Sequence, residues 1–355
     1  MAYSAITKPT DYFNTVKWTG TGDATTAVTG VGFQPDWVWI KNRDVGDDHM
    51  VFDAVRGTTK PIFTNSSNAE STNAESLQSF DTNGFTTGNH RGTGGDNGNP
   101  MVAWNWKANG SGSANTDGSI NSTVSVNTTA GFSIVKWTGN NTGGATVGHG
   151  LGAVPKMIIF RNYSVTEDWT VYHQGLTSNN YKVDLNNNSA EANVTNPYLE
   201  NTTPTNSLIT LGDHQRVNGS GNSIIAYCFA EKKGFSKFGS YTGNGNANGT
   251  FIYTGFKPAW VMIKQVNTTG NWALSDNKRN NTGGGNFVSH TLAANLYQNE
   301  SYFGGGAGNK QDYLSNGFKI RDTGGYANTS GGTYIYMAFA EESLVANVGQ
   351  GIPAT

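Results

Sequence analysis

Residues 30–43 read GVGFQPDWVWIKNR, a glycine-rich turn and a proline followed by a continuous apolar run. Two later segments repeat this order, GHGLGAVPKMIIFRN at 148–162 and YTGFKPAWVMIKQ at 253–265. A short apolar run that is bounded by turn residues predicts a β-strand covered on both faces. The prolines of the three segments are 120 and then 103 residues apart, so the pattern returns at a similar spacing.

Each of these segments lies between two other recurring elements. The opening elements are FNTVKWTG at 13–20, FSIVKWTG at 132–139 and FSKFGSYTG at 235–243. The closing elements are MVAWNWKA at 101–108, IIAYCFAE at 224–231 and YIYMAFAE at 334–341. Three ordered landmarks at matching distances predict three diverged tandem copies of one unit.

The residues between the landmarks predict short strands and tight turns. Clusters such as GTGGDNGN at 92–99 supply turn conformations at low steric cost. We therefore expect an all-β fold with little helix, in which each unit is a β-sandwich. A three-bladed propeller is the less favoured alternative. The stretch NAESTNAESLQS at 68–79 is the best candidate for a short helix.

Composition and landmarks together predict the domain boundaries. These are an N-terminal arm at 1–12, a first β repeat at 13–109, a polar linker at 110–130, a second β repeat at 131–232, a third β repeat at 233–344 and a C-terminal tail at 345–355. The linker sequence is also compatible with an extended strand.

Charge and apolar length argue against several classes of partner. The chain has 355 residues, a net charge of −2 and only 14% charged residues, so neither nucleic acid nor an anionic membrane is an expected partner. Its apolar runs are too short to insert into a bilayer, and its first residues do not form a signal peptide. Cys228 is the only cysteine, which excludes an intrachain disulfide and fits assembly in a reducing cytoplasm.

Residues that often perform catalysis form no recognisable motif. The six histidines make no HExxH pair, and no serine lies in a GxSxG elbow. We considered these carboxylates for glycosidase chemistry: Asp47, Asp48, Asp53, Glu167, Asp168 and Asp213. Several lie in predicted turns, where aspartate caps the backbone. We expect no catalytic residue, no metal site and no cofactor, with Ca²⁺ held by loop oxygens as a weak alternative.

Aromatic residues are the remaining chemical signal. Most of the nine tryptophans lie in landmark strands, which predicts packing inside or between the units. Four aromatic residues near Gly/Asn-rich loops are our candidates for stacking on sugar rings: Tyr163, Trp169, Tyr302 and Tyr326.

Taken together, the landmarks resemble a family of uncharacterised structural proteins encoded by marine tailed phages. The resemblance extends from Tyr12 to Glu342 and includes VFDAVRG at 51–57, SFDTNGFTTG at 79–88 and LSNGFKIR at 314–321. It implies a virion-associated protein, of the tail-fibre or appendage type, with concanavalin-like or jelly-roll units. No catalytic residues are implied by it. Because no heptad stalk is present, a compact appendage, a fibre tip or a capsid decoration is favoured over a long fibre.

The sequence thus predicts a non-enzymatic phage structural protein on the virion surface. Its expected partners are other virion proteins, further copies of itself with a trimer favoured, and host-surface glycan. Its units could match a symmetric mounting site either as a trimer or as one chain that imitates a trimer. Two alternatives are a polysaccharide depolymerase of a phage tail and a free soluble lectin.

Overall fold

The structure is a computed structural model that describes residues 4–279, 289–291, 311–324 and 327–343. Almost all regular structure in these residues is β-strand, which confirms the prediction of an all-β fold with little helix. The tail predicted at 345–355 lies outside the described residues. Within the described part of the chain, no helix has the length and hydropathy needed to cross a membrane.

The described strands fall into three groups, which we call the first, second and third unit. The first unit contains β1 Phe13–Thr19, β2 Thr26–Thr29, β3 Trp37–Asn42, β4 Met50–Asp53, β5 Gly57–Phe63, β6 Leu77–Asp81, β7 Gly84–Thr87 and β8 Pro100–Trp106, with 3₁₀ turns at Pro9–Asp11 and Arg91–Thr93. The second contains β9 Ser113–Asn115, β10 Ser122–Asn127, β11 Phe132–Thr138, β12 Ala145–Gly148, β13 Met157–Asn162, β14 Thr170–His173, β15 Tyr181–Asp184, β16 Ala192–Asn193, β17 Leu208–Leu211, α1 Gln215–Asn218 and β18 Ser223–Phe229. The third contains β19 Ser236–Thr242, β20 Phe251–Tyr253, β21 Phe256–Gln265, β22 Trp272–Asp276, β23 Ser289–Thr291, β24 Gln311–Leu314, β25 Gly317–Ile320 and β26 Thr333–Ser343.

The order of strands in the main sheet is the same in each unit. It is β1-β8-β3-β4-β5 in the first unit, β11-β18-β13-β14-β15 in the second and β19-β26-β21-β22-β23 in the third, and all of these pairs are antiparallel. A small sheet accompanies each main sheet: β2-β7-β6, β12-β17 and β20-β25-β24. This recurrence agrees with the landmark order, while descent from one ancestral unit stays a prediction.

The main sheets are buried on both faces because each separates two cores. Every residue of β3 and β13 is buried, as the continuous apolar runs predict. One face of each main sheet packs under the small sheet of its own unit, in three separate outer cores. The opposite face contributes to one inner core, which contains residues of all three units.

Aromatic rings fill much of the inner core. Trp106 in β8 lies 4.4 Å from Trp37 of its own unit, measured between ring centroids. It also lies 6.5 Å from Phe229 of the second unit and 5.6 Å from Trp260 of the third. The closing strand alternates between the cores, since Trp104 and Trp106 face the inner core while Met101 and Ala103 face the outer one.

The short helix expected at 68–79 is wrong. Leu77–Asp81 is strand β6, and the residues before it run without regular structure along the second unit. The amide of Glu70 donates to the carbonyl of Tyr163 at 2.8 Å, and the amide of Asn73 donates to the carbonyl of Thr59 at 2.7 Å. These distant backbone partners replace the bonds that a helix would form locally.

The polar stretch predicted as a linker at 110–130 supplies strands to the second unit. β10 pairs with β11 over six positions, and β9 pairs with β10, so both extend the main sheet. The extended-strand alternative describes these residues better than a free linker does. Strand pairing satisfies their backbone groups, which a side-chain composition rich in serine and threonine does not reveal.

Because the inner core is shared, the described units should unfold together. Replacing Trp106 with alanine should lower the free energy of unfolding by about 3–5 kcal/mol, since a large ring is lost from a closed core. Denaturant unfolding followed by tryptophan fluorescence and by circular dichroism should show one transition with both probes. Trp18→Ala is the control, because Trp18 is half-buried and packs against the outer core of the first unit, away from the inner core. Separate transitions in the unmodified protein would contradict a shared core.

Candidate functional site

Three polar residues occupy the same register position in the three main sheets. Asp53 pairs with Trp37, His173 with Met157, and Asp276 with Trp260. All three side chains are buried at the end of the strand that follows the central apolar run. We call them the junction residues, because each contacts the closing strand of a different unit.

Asp53 joins the first unit to the second. The hydroxyl of Tyr227, in β18, donates to the Asp53 Oδ2 at 2.8 Å. Burial, and then the negative charge of Asp53, raise the pKa of Tyr227 well above its ordinary value, so the hydroxyl keeps its proton and acts as a donor. This is a charge-assisted hydrogen bond inside an aromatic core.

The local chain holds the Asp53 carboxylate in place. Its Oδ1 accepts the amides of Val55 and Arg56 at 3.1 and 2.9 Å, which forms the turn between β4 and β5. The Arg56 Nε donates to Oδ2 at 2.6 Å, and Glu70 is a second ion-pair partner of Arg56 at 2.8 Å. Burial is the largest single influence and lowers the pKa of Arg56. Asp53 first, and then Tyr227 and Glu70, together outweigh burial, so that pKa is raised. The buried charges are therefore paired.

Asp276 repeats this arrangement between the third unit and the first. The indole Nε1 of Trp104, in β8, donates to the Asp276 Oδ2 at 2.9 Å. The Asp276 Oδ1 accepts the amides of Lys278 and Arg279 at 2.9 and 3.0 Å, and the Arg279 Nε forms an ion pair with Oδ2. The guanidinium of Arg279 also lies 5.2 Å from the Trp104 ring centroid, which adds a cation–π contact.

His173 joins the second unit to the third without a carboxylate. Its Nδ1 accepts the amide of Gly175 at 3.0 Å, so Nε2 carries the proton and donates to the carbonyl of Tyr336 at 3.1 Å. The neighbouring Gln174 donates to the carbonyl of Phe238 at 2.8 Å. Burial lowers the pKa of His173 to about 4, and the hydrogen bond to Tyr336 only partly opposes this shift. The ring is therefore neutral at neutral pH.

Together the junctions close a ring of units. The first unit contacts the second through Asp53, the second contacts the third through His173, and the third returns to the first through Asp276. Each contact runs from the end of a middle strand to the closing strand of the next unit in that order. Directional hydrogen bonds of this kind fix the relative register of apolar faces that could otherwise slide.

Three buried cations form a second set of polar residues in the main sheets. Lys41, Arg161 and Lys264 end the central runs of β3, β13 and β21. Burial lowers the pKa of Arg161 to about 10 and the pKa values of both lysines to about 8. Each cation donates to backbone carbonyls, which partly replace the lost water.

Two of these cations cross to a neighbouring unit. Arg161 donates to the carbonyls of Ser67, at 2.9 Å, and Asn68 in the first unit. Lys264 donates to the carbonyl of Asn188 in the second unit at 3.3 Å, and to that of Gly270 at 2.6 Å. These contacts tie irregular segments of one unit to a regular strand of the next.

The structure corrects one proposed stacking residue. Trp169 is fully buried in the inner core, and its Nε1 donates to the carbonyl of Phe63 in the first unit at 2.8 Å. A ring without an exposed face cannot stack on an external sugar, so Trp169 packs between units instead. Trp272 makes the corresponding bond to the carbonyl of Asp184 at 2.8 Å. Neither residue belongs to a landmark strand. The packing predicted for landmark tryptophans is seen at Trp37, Trp104, Trp106 and Trp260, which lie in the inner core.

The other stacking candidates are not brought together. Tyr163 is half-buried against the inner core, with the Arg56 guanidinium 5.8 Å from its ring centroid. Tyr302 and Tyr326 lie outside the described residues, so their role stays a prediction. The described structure therefore places no pair of the four residues on one exposed surface.

Four of the six carboxylates considered for catalysis form ion pairs: Asp53 with Arg56, Asp47 with Arg91, and Glu167 and Asp168 with Arg216. Asp48 instead accepts a hydrogen bond from the Asn65 side-chain amide at 2.7 Å. The Arg216 guanidinium binds Glu167 at 3.1 Å, Asp168 at 2.6 Å and Asp184 at 2.9 Å. In the described ranges no three His, Cys, Asp or Glu side chains are grouped so that they could hold a metal ion. The only thiol, Cys228, is buried, and burial raises its pKa to about 12, which suppresses thiolate chemistry.

The comparison with protein families covers this whole arrangement. Residues 8–343 match the family described as Domain of unknown function (DUF7483). The chain belongs to this family. The DUF7483 match begins before β1 and ends with β26, so all three units and all three junctions lie within one family domain. No curated protein and no solved structure matches the chain significantly.

Sequence reasoning missed the junction residues of the DUF7483 domain, although a signal was present. The turns DAVR at 53–56 and DNKR at 276–279 share an Asp-x-x-Arg spacing. They are separated by 223 residues, the same interval as the prolines Pro35 and Pro258. An acidic residue that recurs in register next to an apolar strand indicates a structural role. In the second unit the corresponding residue is His173, so the acidic residue does not recur there.

The junction between the first and second units can be tested by removing one oxygen. Tyr227→Phe should lower the free energy of unfolding by about 1.5–3 kcal/mol, because a buried hydrogen bond to a charged group is lost. Tyr172→Phe is the matched control, since Tyr172 is buried in the same unit and its hydroxyl makes no hydrogen bond to described residues. Chemical denaturation measures both variants. Equal losses would show that the Asp53 contact contributes nothing specific.

The His173 junction, between the second and third units, predicts a defined dependence of stability on pH. The unfolded state binds a proton near pH 6.5, whereas folded His173 does so near pH 4, so stability is lost as pH falls through this interval. The loss for this group approaches about 3 kcal/mol at the acid end. His173→Gln retains a donor for Tyr336 but does not titrate. The unfolding free energy of the unmodified protein, minus that of His173→Gln, should therefore decrease as pH falls from 7 to 4. A constant difference would contradict the assignment.

Proposed function

We propose that the protein is a non-enzymatic structural protein of a virion surface. In this proposal it is a tail appendage, a fibre tip or a capsid decoration, and it is made in the host cytoplasm before assembly. The observation that supports this most is the ring of junctions. Buried ionisable groups that catalysis could use, such as Asp53, Asp276 and Arg56, are instead engaged in hydrogen bonds and ion pairs that lock the units.

A shared inner core supports a mechanical role. Close-packed protein interiors have low compressibility and transmit strain, so a core shared by the three units couples them mechanically. The three main sheets cover one another's inner faces, so the outer sheets and loops are free to face partners. A rigid core of this kind is suited to holding outer sheets and loops in position for contacts with partners.

The cyclic order of contacts bears on the proposed oligomer. Three similar strand sets around one core are an arrangement in which a single chain can sit on a threefold-symmetric site. We therefore favour a single chain that imitates a trimer at such a site. The trimer of chains expected from the sequence is the alternative. The proposed partners are other virion proteins and host-surface glycan.

Purified virus particles from a host that carries the gene provide the test. Mass spectrometry should detect the protein in a fixed ratio to other particle proteins, and antibody labelling should place it on the outside of the head or tail. Absence from particles would overturn the proposal and favour a free lectin. As a separate arm, the protein is incubated with envelope polysaccharide of that host. Release of oligosaccharides would contradict a non-enzymatic role and favour a depolymerase.

A further inference from the structure

The small sheet of the third unit exposes an aromatic surface. Phe251 and Tyr253 in β20 are 42% and 55% exposed, whereas Ile252 between them is buried in the outer core. Alternate residues of a strand point to opposite faces, so both rings lie on the outer face of the sheet. Leu314 in β24, 38% exposed, lies on the same face.

A glycine makes this surface flat. Gly317 pairs with Tyr253 on one side and with Leu314 on the other. A Cβ on Gly317 would lie 2.1 Å from the carbonyl oxygen of Ile252 and 3.0 Å from the Cζ of Phe251. The Phe251 ring therefore occupies the space beside the Gly317 backbone. The result is a strip of ring and backbone with no side chain projecting at its centre.

Charged side chains border the strip. Lys319 in β25 pairs with Phe251 on one side and with Asp312 of β24 on the other, so all three side chains share one face. The Arg321 Nε forms an ion pair with the Asp312 Oδ2 at 2.5 Å, with both side chains partly exposed. The border thus supplies hydrogen-bond donors and acceptors within one side-chain length of the rings.

The other two units show that the fold does not require aromatic residues here. In the first unit, Val28 takes the inward position and its neighbours are Ala27 and Thr29. In the second unit, the inward residue is Val147, with Thr146 and Gly148 beside it. Small residues therefore complete the same strand twice. The two exposed rings are not part of the outer core and leave a contiguous apolar patch in water, which is a feature of ligand-binding surfaces.

The chemistry of this surface fits a sugar ring better than a second protein copy. A pyranose has an apolar C–H face that can stack on an aromatic ring, and its edge carries hydroxyls that pair with charged or amide groups. A stable protein interface needs about 800 Å² from each partner. Three side chains of ~250 Å² at most offer less than that even when fully exposed.

We propose that Phe251 and Tyr253, with Lys319, Asp312 and Arg321 at the border, form a binding surface for pyranose rings of a glycan. The inference rests on the proposed surface role and names the ligand class and the residues for its glycan contact. It moves the sugar contact from the loop residues expected from the sequence to the outer face of β20.

The test compares the full-length protein with two variants on immobilised oligosaccharides. Phe251→Ala combined with Tyr253→Thr installs the residues of the first unit. Ala27→Ser combined with Thr29→Ser is the control at the corresponding strand. The array holds neutral polymers of glucose, galactose, mannose and N-acetylglucosamine, and separately polymers that contain uronic acid, which distinguishes neutral from acidic ligands.

We expect the unmodified protein and the control to bind at least one class. The aromatic variant should bind at least tenfold more weakly, with only a small change in thermal midpoint because both rings lie on the outer face and outside the outer core. Tyr253→Phe should bind within twofold of the unmodified protein, since the stacking face is kept. Binding to no polymer, or equal binding by the aromatic variant, would overturn the proposal.

Sedimentation of the same proteins examines the competing occupant. If the unmodified protein is a dimer and the aromatic variant a monomer, the surface joins two copies and the sugar proposal is wrong. Particle labelling separates this inference from the broader proposal. A protein on particles that binds no sugar refutes the surface assignment alone, whereas a sugar-binding protein absent from particles refutes only the virion role.

Discussion

In the part of the chain that the structure describes, the inner faces of the three main sheets pack against one another in one shared core. The small sheets cover the outer faces. Burial of apolar area is the main favourable term in folding, so the three units depend on a common interior. The junction residues follow from this constraint. A core of rings tolerates many packings, and the hydrogen bonds of Asp53, His173 and Asp276 select one.

Much of the fold could be predicted because it is encoded locally. The runs WVWIK, MIIFR and WVMIK became central strands buried on both faces, and the closing elements became their neighbours in the sheet. The failures have another cause. At 68–79 the helical pattern lost to distant backbone partners in the first and second units, and at 113–127 strand pairing incorporated a polar segment. Trp169 lies near a loop in sequence, yet neighbouring units enclose it. Composition records none of these distant partners.

The candidate site was harder to predict than the fold. Buried carboxylates resemble catalytic ones in a sequence, and only their partners distinguish them. Asp53 accepts bonds from a tyrosine 174 residues away. The exposed rings of β20 were missed for a related reason. Which of the two opposite faces of a strand meets water depends on its register. A shift of one residue would bury the neighbours of Ile252 and expose Ile252 instead. The interior thus explains most of the aromatic content of the described residues, and Phe251 and Tyr253 are the large aromatic side chains among them that stay exposed.

The contact between Trp104 and Asp276 spans 172 residues, and it has a consequence for synthesis. A ribosome releases the first unit long before the third unit exists. Until then, the aromatic face of the first unit has no permanent cover, and an exposed apolar sheet is prone to pair with other chains. Contacts between residues so far apart also slow the search for the native state. The nascent chain must therefore either wait in a partly closed form or depend on a chaperone until its last strand closes the ring.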